Sequence, residues 1–265
     1  MSGQTELAQR FECLSEIREI MTAMKTLALI ETRKLVRFID HQRRMQANIE
    51  DAAADFATYF PIRYAAEEHS AVVIAVGSER GFCGNFNENI SQILENGLSG
   101  MGSDMQLVVV GNRLGMKLEA APSVITGATV VEDIPGVIDR LMDSLQGASV
   151  LYALVHDAEK EAVFLKPILP FDLPESPEKT SEPLLQLAPD DFLSQMLDQY
   201  LLAKLYGLLY ESLLVENRHR LGHMEQAIER LDKTLSDLSL KRNALRQEKI
   251  TEEIEVILAR EYWSK

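Results

Sequence analysis

The two ends of this chain are long stretches that are almost free of helix-breaking residues. Residues 4–60 contain neither glycine nor proline, and residues 190–265 contain only Gly207 and Gly222. All nine prolines and eleven of the fourteen glycines lie between these stretches. Helices of this length would span roughly 85 Å and 110 Å at about 1.5 Å per residue, far more than the diameter of a small domain. They must therefore bury their apolar faces on each other or on partner proteins.

Both stretches carry apolar residues at alternating steps of three and four, which is the 3.5-residue period of a left-handed coiled coil. The first stripe is apolar at nine of eleven positions and the second at seven of eight: Leu14, Ile17, Met21, Met24, Ala28, Glu31, Leu35, Phe38, Gln42, Met45 and Ile49, then Leu221, Met224, Ile228, Leu231, Leu235, Leu238, Arg242 and Leu245. Because the stripes lie at opposite ends of one chain, we expect an antiparallel coiled coil within the chain. Homodimerisation through either helix is the competing interpretation.

The sequence between the two helices predicts alternating strands and helices. The predicted strands are Ala71–Val76, Leu107–Val110, Ser123–Thr126, Val150–Val155 and Ala162–Leu169, and the predicted helices are Glu88–Leu98, Asn112–Ala120 and Ile134–Leu145. This alternation indicates a Rossmann-like α/β domain with a largely parallel sheet, in which the last two strands are close enough for a hairpin. The predicted organisation is an N-terminal helix over 1–65, the α/β domain over 66–169, a proline-rich and acidic linker over 170–189 and a C-terminal helix over 190–265.

The net charge of -14 is confined to the middle of the chain. Residues 1–50 hold eight basic and seven acidic side chains, and residues 211–265 hold ten and eleven, so the excess lies in 51–210. Such a charge repels phosphates and anionic lipids, which argues against a nucleic-acid-binding protein. The longest purely apolar run, Ala71–Val76, is too short to cross a bilayer, and the N-terminus does not read as a secretory signal. We therefore expect a cytoplasmic protein, or one peripheral to the cytoplasmic face of the cell membrane.

The loop after the first predicted strand, residues 77–89 (GSERGFCGNFNEN), is the segment that most resembles a ligand site. Its glycines and asparagines precede a predicted helix N-terminus, where backbone N–H groups could bind an anion. It matches neither the GxGxxG pattern nor the P-loop pattern, so a structural turn or interface loop is favoured over nucleotide binding.

Other candidate chemistry is weaker. Cys83 has no neighbouring base, and its distance from Cys13 supports neither a disulfide framework nor a zinc site. His219 and His223 share one helix face but lack the glutamate of an HExxH motif, which favours a solvated pair. The sequence therefore predicts no catalytic, cofactor-binding or metal-binding residues.

Segments in three separate parts of the chain resemble the gamma subunit of F-type ATP synthases. Residues 10–35 resemble its N-terminal helix, in which Thr22-Ala23-Met24-Lys25 precedes a basic pair. Residues 79–87, ERGFCGNFN, are similar to that family's Asp-Arg-Gly-Leu-Cys-Gly-Gly-Leu-Asn. Residues 216–227 and 243–254, ENRHRLGHMEQA and NALRQEKITEEI, resemble its last helix. The acidic charge departs from the balanced or basic composition common in the family and indicates a divergent member, such as one of the sodium-pumping type.

The resemblance implies a central rotor shaft that couples transmembrane ion flow to ATP synthesis or hydrolysis, with no catalytic residue or cofactor of its own. It implies contacts with the α, β and epsilon subunits and the membrane c-ring, and membrane association only through the complex. The motif positions that it implies for subunit contact and coupling are Met24, Lys25, Arg80, Glu216, Arg220, Arg246, Gln247 and Thr251; the alternative role for them is internal to the coiled coil. Two alternative functions remain open. One is a homodimeric coiled-coil scaffold with an α/β head, and the other is a nucleotide-binding or small-molecule enzyme that uses the 77–89 loop.

Overall fold

The computed structural model describes residues 2–60, 71–97, 105–118, 123–158, 160, 162–170 and 184–263. The elements follow the order α1 (Ser2–Tyr59), β1 (Ala71–Val76), α2 (Phe86–Gly97), β2 (Met105–Val110), α3 (Asn112–Gly115), β3 (Ser123–Ile125), a 3-10 turn (Val131–Asp133), α4 (Ile134–Ser144), β4 (Val150–His156), β5 (Val163–Leu169) and α5 (Pro189–Trp263). The predicted change from the N-terminal helix to the α/β domain at residues 65–66 lies outside the described residues, as does most of the predicted linker.

The two long helices form as predicted, with 58 and 75 residues. Proline is well suited to the first position of a helix because its fixed φ angle already matches and its missing N–H would have no partner there. Pro189 occupies that position in α5, and Asp190 and Asp191 place negative charge in the first turn, where the helix dipole favours it. These local signals explain why α5 begins here.

The sheet confirms the predicted α/β class. Its strand order is β3-β2-β1-β4-β5; the pairs among the first four strands are parallel, and β5 runs antiparallel to β4. Five of the six residues of β1 are buried, as expected for a parallel strand covered on both faces. The hairpin predicted for the last two strands is confirmed.

The helix predicted over Asn112–Ala120 is wrong in length, because α3 ends at Gly115. A Cβ atom at Gly115 would lie 2.9 Å from the side chain of Val124, so the chain passes very close to β3 at this point. This close approach is a tertiary contact, and the periodicity of the sequence gives no sign of it.

The chain divides into two compact units. One, here called the domain unit, comprises Ala28–Arg220; the other, the coil unit, comprises Met1–Leu27 and Leu221–Lys265. Each unit contains a segment of α1 and a segment of α5.

In the domain unit the two helices run antiparallel. The Phe38 and Tyr210 rings lie 5.7 Å apart, and the Phe56 ring lies 5.2 Å from the ring of Phe192. Between these two contacts, Lys204 Nζ lies 2.6 Å from Glu50. Because the residue numbers rise on α1 as they fall on α5, the pairing within the domain unit is antiparallel.

The coil unit shows the same antiparallel pairing. The guanidinium of Arg242 lies over the Phe11 ring, Arg18 pairs with Asp232, and Lys25 Nζ lies 2.9 Å from Glu225. In both units, therefore, α1 and α5 pair within the chain as predicted.

The hydrophobic core of the domain unit lies on both faces of the sheet, between the sheet and the helices that cover it. Side chains alternate along β1, so that Val72, Ile74 and Val76 contribute to one buried cluster and Ala75 to another. The first cluster includes α4 and the segments of α1 and α5; the second includes α2, α3 and Val215 of α5. The α5 segment therefore belongs to the same core as the α/β domain.

Three of the eleven positions of the predicted stripe on α1 are wrong by one residue. The positions Leu14, Met21, Ala28, Leu35, Gln42 and Ile49 are buried or half-buried as predicted, and Met24 and Glu31 are half-buried. Ile17, Phe38 and Met45 are instead 39–46% exposed, and the next residues, Arg18, Ile39 and Gln46, face inward.

The reason for this shift is that α1 is apolar over a wider face than the helix seam needs, so the sequence fits two neighbouring registers. The structure adopts the register in which polar side chains reach across to α5. Arg18 bonds to Asp232, and Gln42 Nε2 donates to the Ala203 carbonyl at 2.8 Å. The stripe predicted on α5 is confirmed from Leu221 to Arg242, but Leu245 is exposed.

The inward register of α1 predicts a sharp contrast between two neighbouring residues. Leu35→Ala should lower the free energy of unfolding by about 2–5 kcal/mol, because Leu35 is fully buried and its loss leaves a cavity. Val36→Ala, at a position 43% exposed, should change it by less than about 0.5 kcal/mol. Urea unfolding of the full chain measures both values; equal losses would contradict the register.

Candidate functional site

The loop of residues 77–89 is held closed by its own side chains. The Ser78 N–H donates to Asn87 Oδ1 at 2.9 Å, and Asn87 Nδ2 donates to Ser78 Oγ at 2.7 Å. The Ser78 hydroxyl in turn donates to the Arg80 carbonyl at 2.9 Å. A Cβ atom at Gly77 would lie 2.3 Å from Leu114 Cβ, so this position leaves room for no other residue. The loop is a packed turn.

The Glu79 carboxylate of this loop binds hydrogen-bond donors of two other segments. Glu79 accepts hydrogen bonds from the Asn112 N–H at 3.0 Å, from Asn112 Nδ2 at 2.6 Å and from the Gly127 N–H at 2.8 Å. Burial alone would raise the pKa of Glu79, but these hydrogen bonds outweigh it and hold the pKa below its usual value. The carboxylate ties together the segments that follow β1, β2 and β3.

The crevice at the reversal of strand order is also filled. Ligands of doubly wound sheets bind beside the carboxyl ends of the strands where the order reverses, which here is between β1 and β4. The Phe86 ring stacks on the His156 ring at a centroid distance of 4.0 Å, and both residues are fully buried. His219 of α5 packs against both rings, at 5.8 and 5.6 Å. The arrangement gives no support to a nucleotide site.

The prediction that His219 and His223 are both solvated is correct for His223 and wrong for His219. His223 is exposed as expected, whereas His219 is half-buried against Phe86 and His156. Helical spacing placed both on one side of α5, but the α/β domain covers that side at His219.

A buried polar cluster connects the loop to α5. Cys83, Glu216, Asn217 and Arg220 are 4, 4, 1 and 7% exposed. Arg220 Nη2 bonds to the carboxylate of Glu216 and lies 3.2 Å from Cys83 Sγ, while Arg220 Nη1 donates to Asn217 Oδ1 at 3.1 Å. Burial raises the pKa of Glu216 to about 7 against the opposing effect of Arg220, and burial raises the pKa of the Cys83 thiol to about 11. A thiol of this kind is a poor nucleophile.

The structure separates the eight residues chosen from the resemblance into two groups. Glu216 and Arg220 are buried and bonded within the chain, so their direct contacts are internal. Met24 and Lys25 are half-buried on α1, and Arg80, Arg246, Gln247 and Thr251 are exposed. Sequence reasoning missed the contact of Cys83 with the glutamate–arginine pair; the signal available was a charged pair inside an otherwise apolar stretch of α5.

Among the described residues, two surfaces of the coil unit are exposed and not covered by other parts of the chain. On α1, Ile17, Ile20 and Leu27 are 39, 59 and 62% exposed and, with Met24, follow helical steps of three and four. On α5, every side chain of residues 243–258 is exposed, including the apolar side chains of Ile250, Ile254, Val256, Ile257 and Leu258. Apolar patches of this extent commonly mark protein–protein contacts.

The fold and these surfaces define a class of protein in which an α/β domain is inserted between two long paired helices whose outer faces suit contact with other chains. Among the described residues, no helix is both long enough and apolar enough to cross a membrane.

Comparisons with known proteins identify the family within this class. The family model described as ATP synthase matches residues 3–259. The ATP synthase gamma chain of Moorella thermoacetica is 24% identical over 277 residues, covering 98% of both chains, and that of Bdellovibrio bacteriovorus is 25% identical over 283 residues, covering 96% of both. The chain therefore belongs to the ATP synthase family.

Solved structures agree on the fold. A chain of the Euglena gracilis mitochondrial ATP synthase, from the OSCP/F1/c-ring assembly, aligns with a TM-score of 0.61 at 13% identity, covering 97% of this chain and 93% of that one. A chain of the Tetrahymena thermophila central stalk and c-ring aligns with a TM-score of 0.58 at 16% identity, covering 78% and 99%.

The buried histidine predicts how the stability of the fold depends on pH. Burial lowers the pKa of His156, and the neighbouring His219 lowers it further, while the hydrogen bond to the Phe86 carbonyl opposes both effects. The unfolded chain therefore binds a proton at a higher pH than the folded chain, and stability should fall as the pH drops from about 6.5 toward the lowered pKa. Urea unfolding at a series of pH values should show a shallower fall for His156→Gln. The exposed His223→Gln is the matched control and should keep the wild-type slope; a wild-type slope in His156→Gln would exclude this origin.

Proposed function

We propose that this chain is the gamma subunit of an F-type ATP synthase, the central rotor shaft that couples ion flow across a membrane to ATP synthesis or hydrolysis. The observation that carries the proposal is the pair of exposed apolar helix faces, because a chain that acted alone would gain nothing from them. The relatives named ATP synthase gamma chain support it, since they match nearly the whole length of this chain.

The physical requirement of such a shaft is stiffness combined with asymmetry. One asymmetric shaft faces each of several equivalent β subunits differently, so its rotation changes their nucleotide affinities in turn. One charge crossing 100 mV supplies about 2.3 kcal/mol, so the energy of several ions must be added mechanically for each ATP. Paired antiparallel helices supply the stiffness, and the shaft itself needs no catalytic residue.

The motif residues that are exposed or half-buried suit direct contacts with other subunits. Met24 belongs to the apolar α1 face with Ile20 and Leu27, so it is suited to packing against β. Lys25, Arg80, Arg246, Gln247 and Thr251 supply directional polar contacts at the surface. Glu216 and Arg220 are enclosed and act through the position of α5.

The partners that follow from this role are the α and β subunits along the helices, and the epsilon subunit and membrane c-ring at the α/β domain. In this role the chain is non-catalytic, binds no cofactor and is peripheral at the cytoplasmic face of the cell membrane, which it reaches only through the complex. The acidic middle of the chain suits a divergent member of the family, including one of the sodium-pumping type.

Affinity purification tests the assignment against its alternatives. A tagged full-length chain should co-purify with the α and β subunits. Sedimentation of the purified chain at micromolar concentration should show a monomer, whereas a stable dimer without α and β would support the scaffold alternative.

Replacing Met24 with lysine should uncouple the complex. A charge within the apolar α1 face disturbs the contact with β, so ion-driven ATP synthesis in vesicles should fall by a larger factor than ATP hydrolysis. Met24→Leu keeps the apolar contact and should behave as wild type. Equal loss of both activities in Met24→Lys would count against a coupling role.

A charge at Ile257 should weaken assembly without weakening the fold. Ile257 is 60% exposed, so Ile257→Asp should change the free energy of unfolding of the isolated chain by less than about 0.5 kcal/mol. Binding of the purified α and β subunits should nevertheless be weaker, because the contact would bury the new carboxylate. Asn243→Asp adds the same charge at an exposed polar position and serves as the control. Unchanged binding by Ile257→Asp would remove this segment from the interface.

A further inference from the structure

We propose that the buried cluster of Cys83, Glu216, Asn217 and Arg220, here called the polar lock, fixes α5 in one rotational and axial register against the α/β domain. Its members are positioning residues for torque transfer. The torque role rests on the proposed rotor function, whereas the lock itself is a property of the isolated chain.

The lock joins two elements that are far apart in sequence. Glu216, Asn217 and Arg220 lie on α5, and Cys83 lies in the loop after β1. Cys83 Sγ is 3.2 Å from Arg220 Nη2 and 3.7 Å from Glu216 Oε1. The same sulfur lies 3.3 Å from the Arg80 carbonyl and 3.4 Å from that of Gly81. The charged pair of α5 therefore meets the loop at Cys83 Sγ, which is itself held by two carbonyls of the loop.

The hydrogen-bond network continues along α5, where donor groups of Arg220 and Asn217 both have acceptors. Arg220 Nη1 donates to Asn217 Oδ1, and Asn217 Nδ2 donates to the Leu213 carbonyl at 2.9 Å. A buried ion pair is tolerated where further hydrogen bonds satisfy it, and it becomes costly where they are missing. If α5 moves, Glu216 and Arg220 can remain paired with each other, but both lose their contact with Cys83 Sγ.

The apolar contacts around the lock cannot fix the register in the same way. Val215 packs into the cluster with Phe86, and Leu213 packs into the core on the other side of the sheet. Hydrophobic burial depends on area and is not directional, so apolar contacts limit small rotations and shifts of a helix less sharply than hydrogen bonds do. Hydrogen bonds weaken steeply with distance and angle. A slip of one helical turn, about 5.4 Å, would take the ion pair away from Cys83 altogether.

This distinction matters for a shaft under load. Torque applied between the α/β domain and α5 would rotate or shift the helix against the domain. The directional contacts of the lock oppose that movement. The two halves of the proposal can be tested separately, first in the isolated chain and then in the complex.

The rate at which Cys83 is labelled measures how well the lock shields this thiol in the isolated full-length chain. In a Cys13→Ser background, a maleimide should react slowly with the wild-type thiol, which is 4% exposed. Glu216→Gln keeps the shape of the side chain but removes its charge, which by itself lowers the pKa of Cys83. After division by the thiolate fraction, obtained from the pH dependence of labelling, the rate should still be about tenfold higher because a charge-assisted contact is weaker. Glu211→Gln removes another ion-paired glutamate of α5, one that contacts Arg43 and Lys166, and should label at the wild-type rate. Equal rates in Glu216→Gln and wild type after this division would overturn the lock.

A double variant tests whether the lock affects coupling independently of the stability of the fold. In Glu216→Leu/Arg220→Met the ion pair becomes apolar at similar volume, a change that is often neutral or stabilising. Its urea midpoint should therefore stay near that of the wild type. In complexes reconstituted into sealed vesicles, however, the ratio of ion-driven ATP synthesis to ATP hydrolysis should fall severalfold. A merely structural role predicts an unchanged ratio.

The outcomes distinguish the lock from the rotor function. A coupled double variant with wild-type stability would overturn the torque role of the lock and leave the rotor function standing. If the wild-type chain itself fails to assemble with α and β, the rotor function fails, and Cys83 labelling still decides the lock. If the double variant does not fold, the Glu216→Gln complex takes its place, and an unchanged ratio there would overturn the torque role.

Discussion

The pairing of α1 with α5 is the interaction on which the rest of the structure depends, because in each unit these helices supply one another's buried face. The seam between them is narrow and partly polar. Gln42 reaches a backbone carbonyl of α5 in the domain unit, and Arg18 and Lys25 meet acidic residues in the coil unit. Exposed ion pairs contribute at most about 1 kcal/mol each, so the stability of the pairing comes from apolar burial. The polar contacts instead select the register, since a shifted helix would lose them.

A narrow seam has a direct consequence for the outer faces of the helices. The wide apolar stripe of α1 is only partly used, and Ile20 and Leu27 are left more than half exposed. The same is true of α5 beyond Arg242, where nothing in the described chain covers Ile254 or Ile257. The sequence thus encodes two apolar surfaces on each helix, one that packs on the partner helix and one that is exposed among the described residues. This division is what a shaft inside a ring of subunits requires.

Much of this could be predicted from the sequence, because helix length, strand runs and motif order are local or nearly local signals. The strand Ala71–Val76 is found with its predicted ends, and the long helices follow from the distribution of glycine and proline. The predictions failed where tertiary contact decides. The inward position of Ile39 instead of Phe38 depends on which polar side chains meet α5, and the early end of α3 depends on Val124. Likewise, a motif comparison can select Glu216 and Arg220, but only the fold shows that they face Cys83 rather than solvent.

The α/β domain has the strand order of nucleotide-binding domains, but the chain's own side chains pack into its crevice. Its strand order creates the usual crevice, yet Phe86 and His156 fill it and Glu79 accepts hydrogen bonds from Asn112 and Gly127. A fold does not determine a function, and here the residues at the carboxyl ends of the strands serve packing. Closing the crevice also brings the loop after β1 into contact with α5, which is where the polar lock forms. The position that would hold a ligand in a doubly wound enzyme thus becomes the attachment of the domain to a helix, and this explains why its polar residues are buried and bonded to one another.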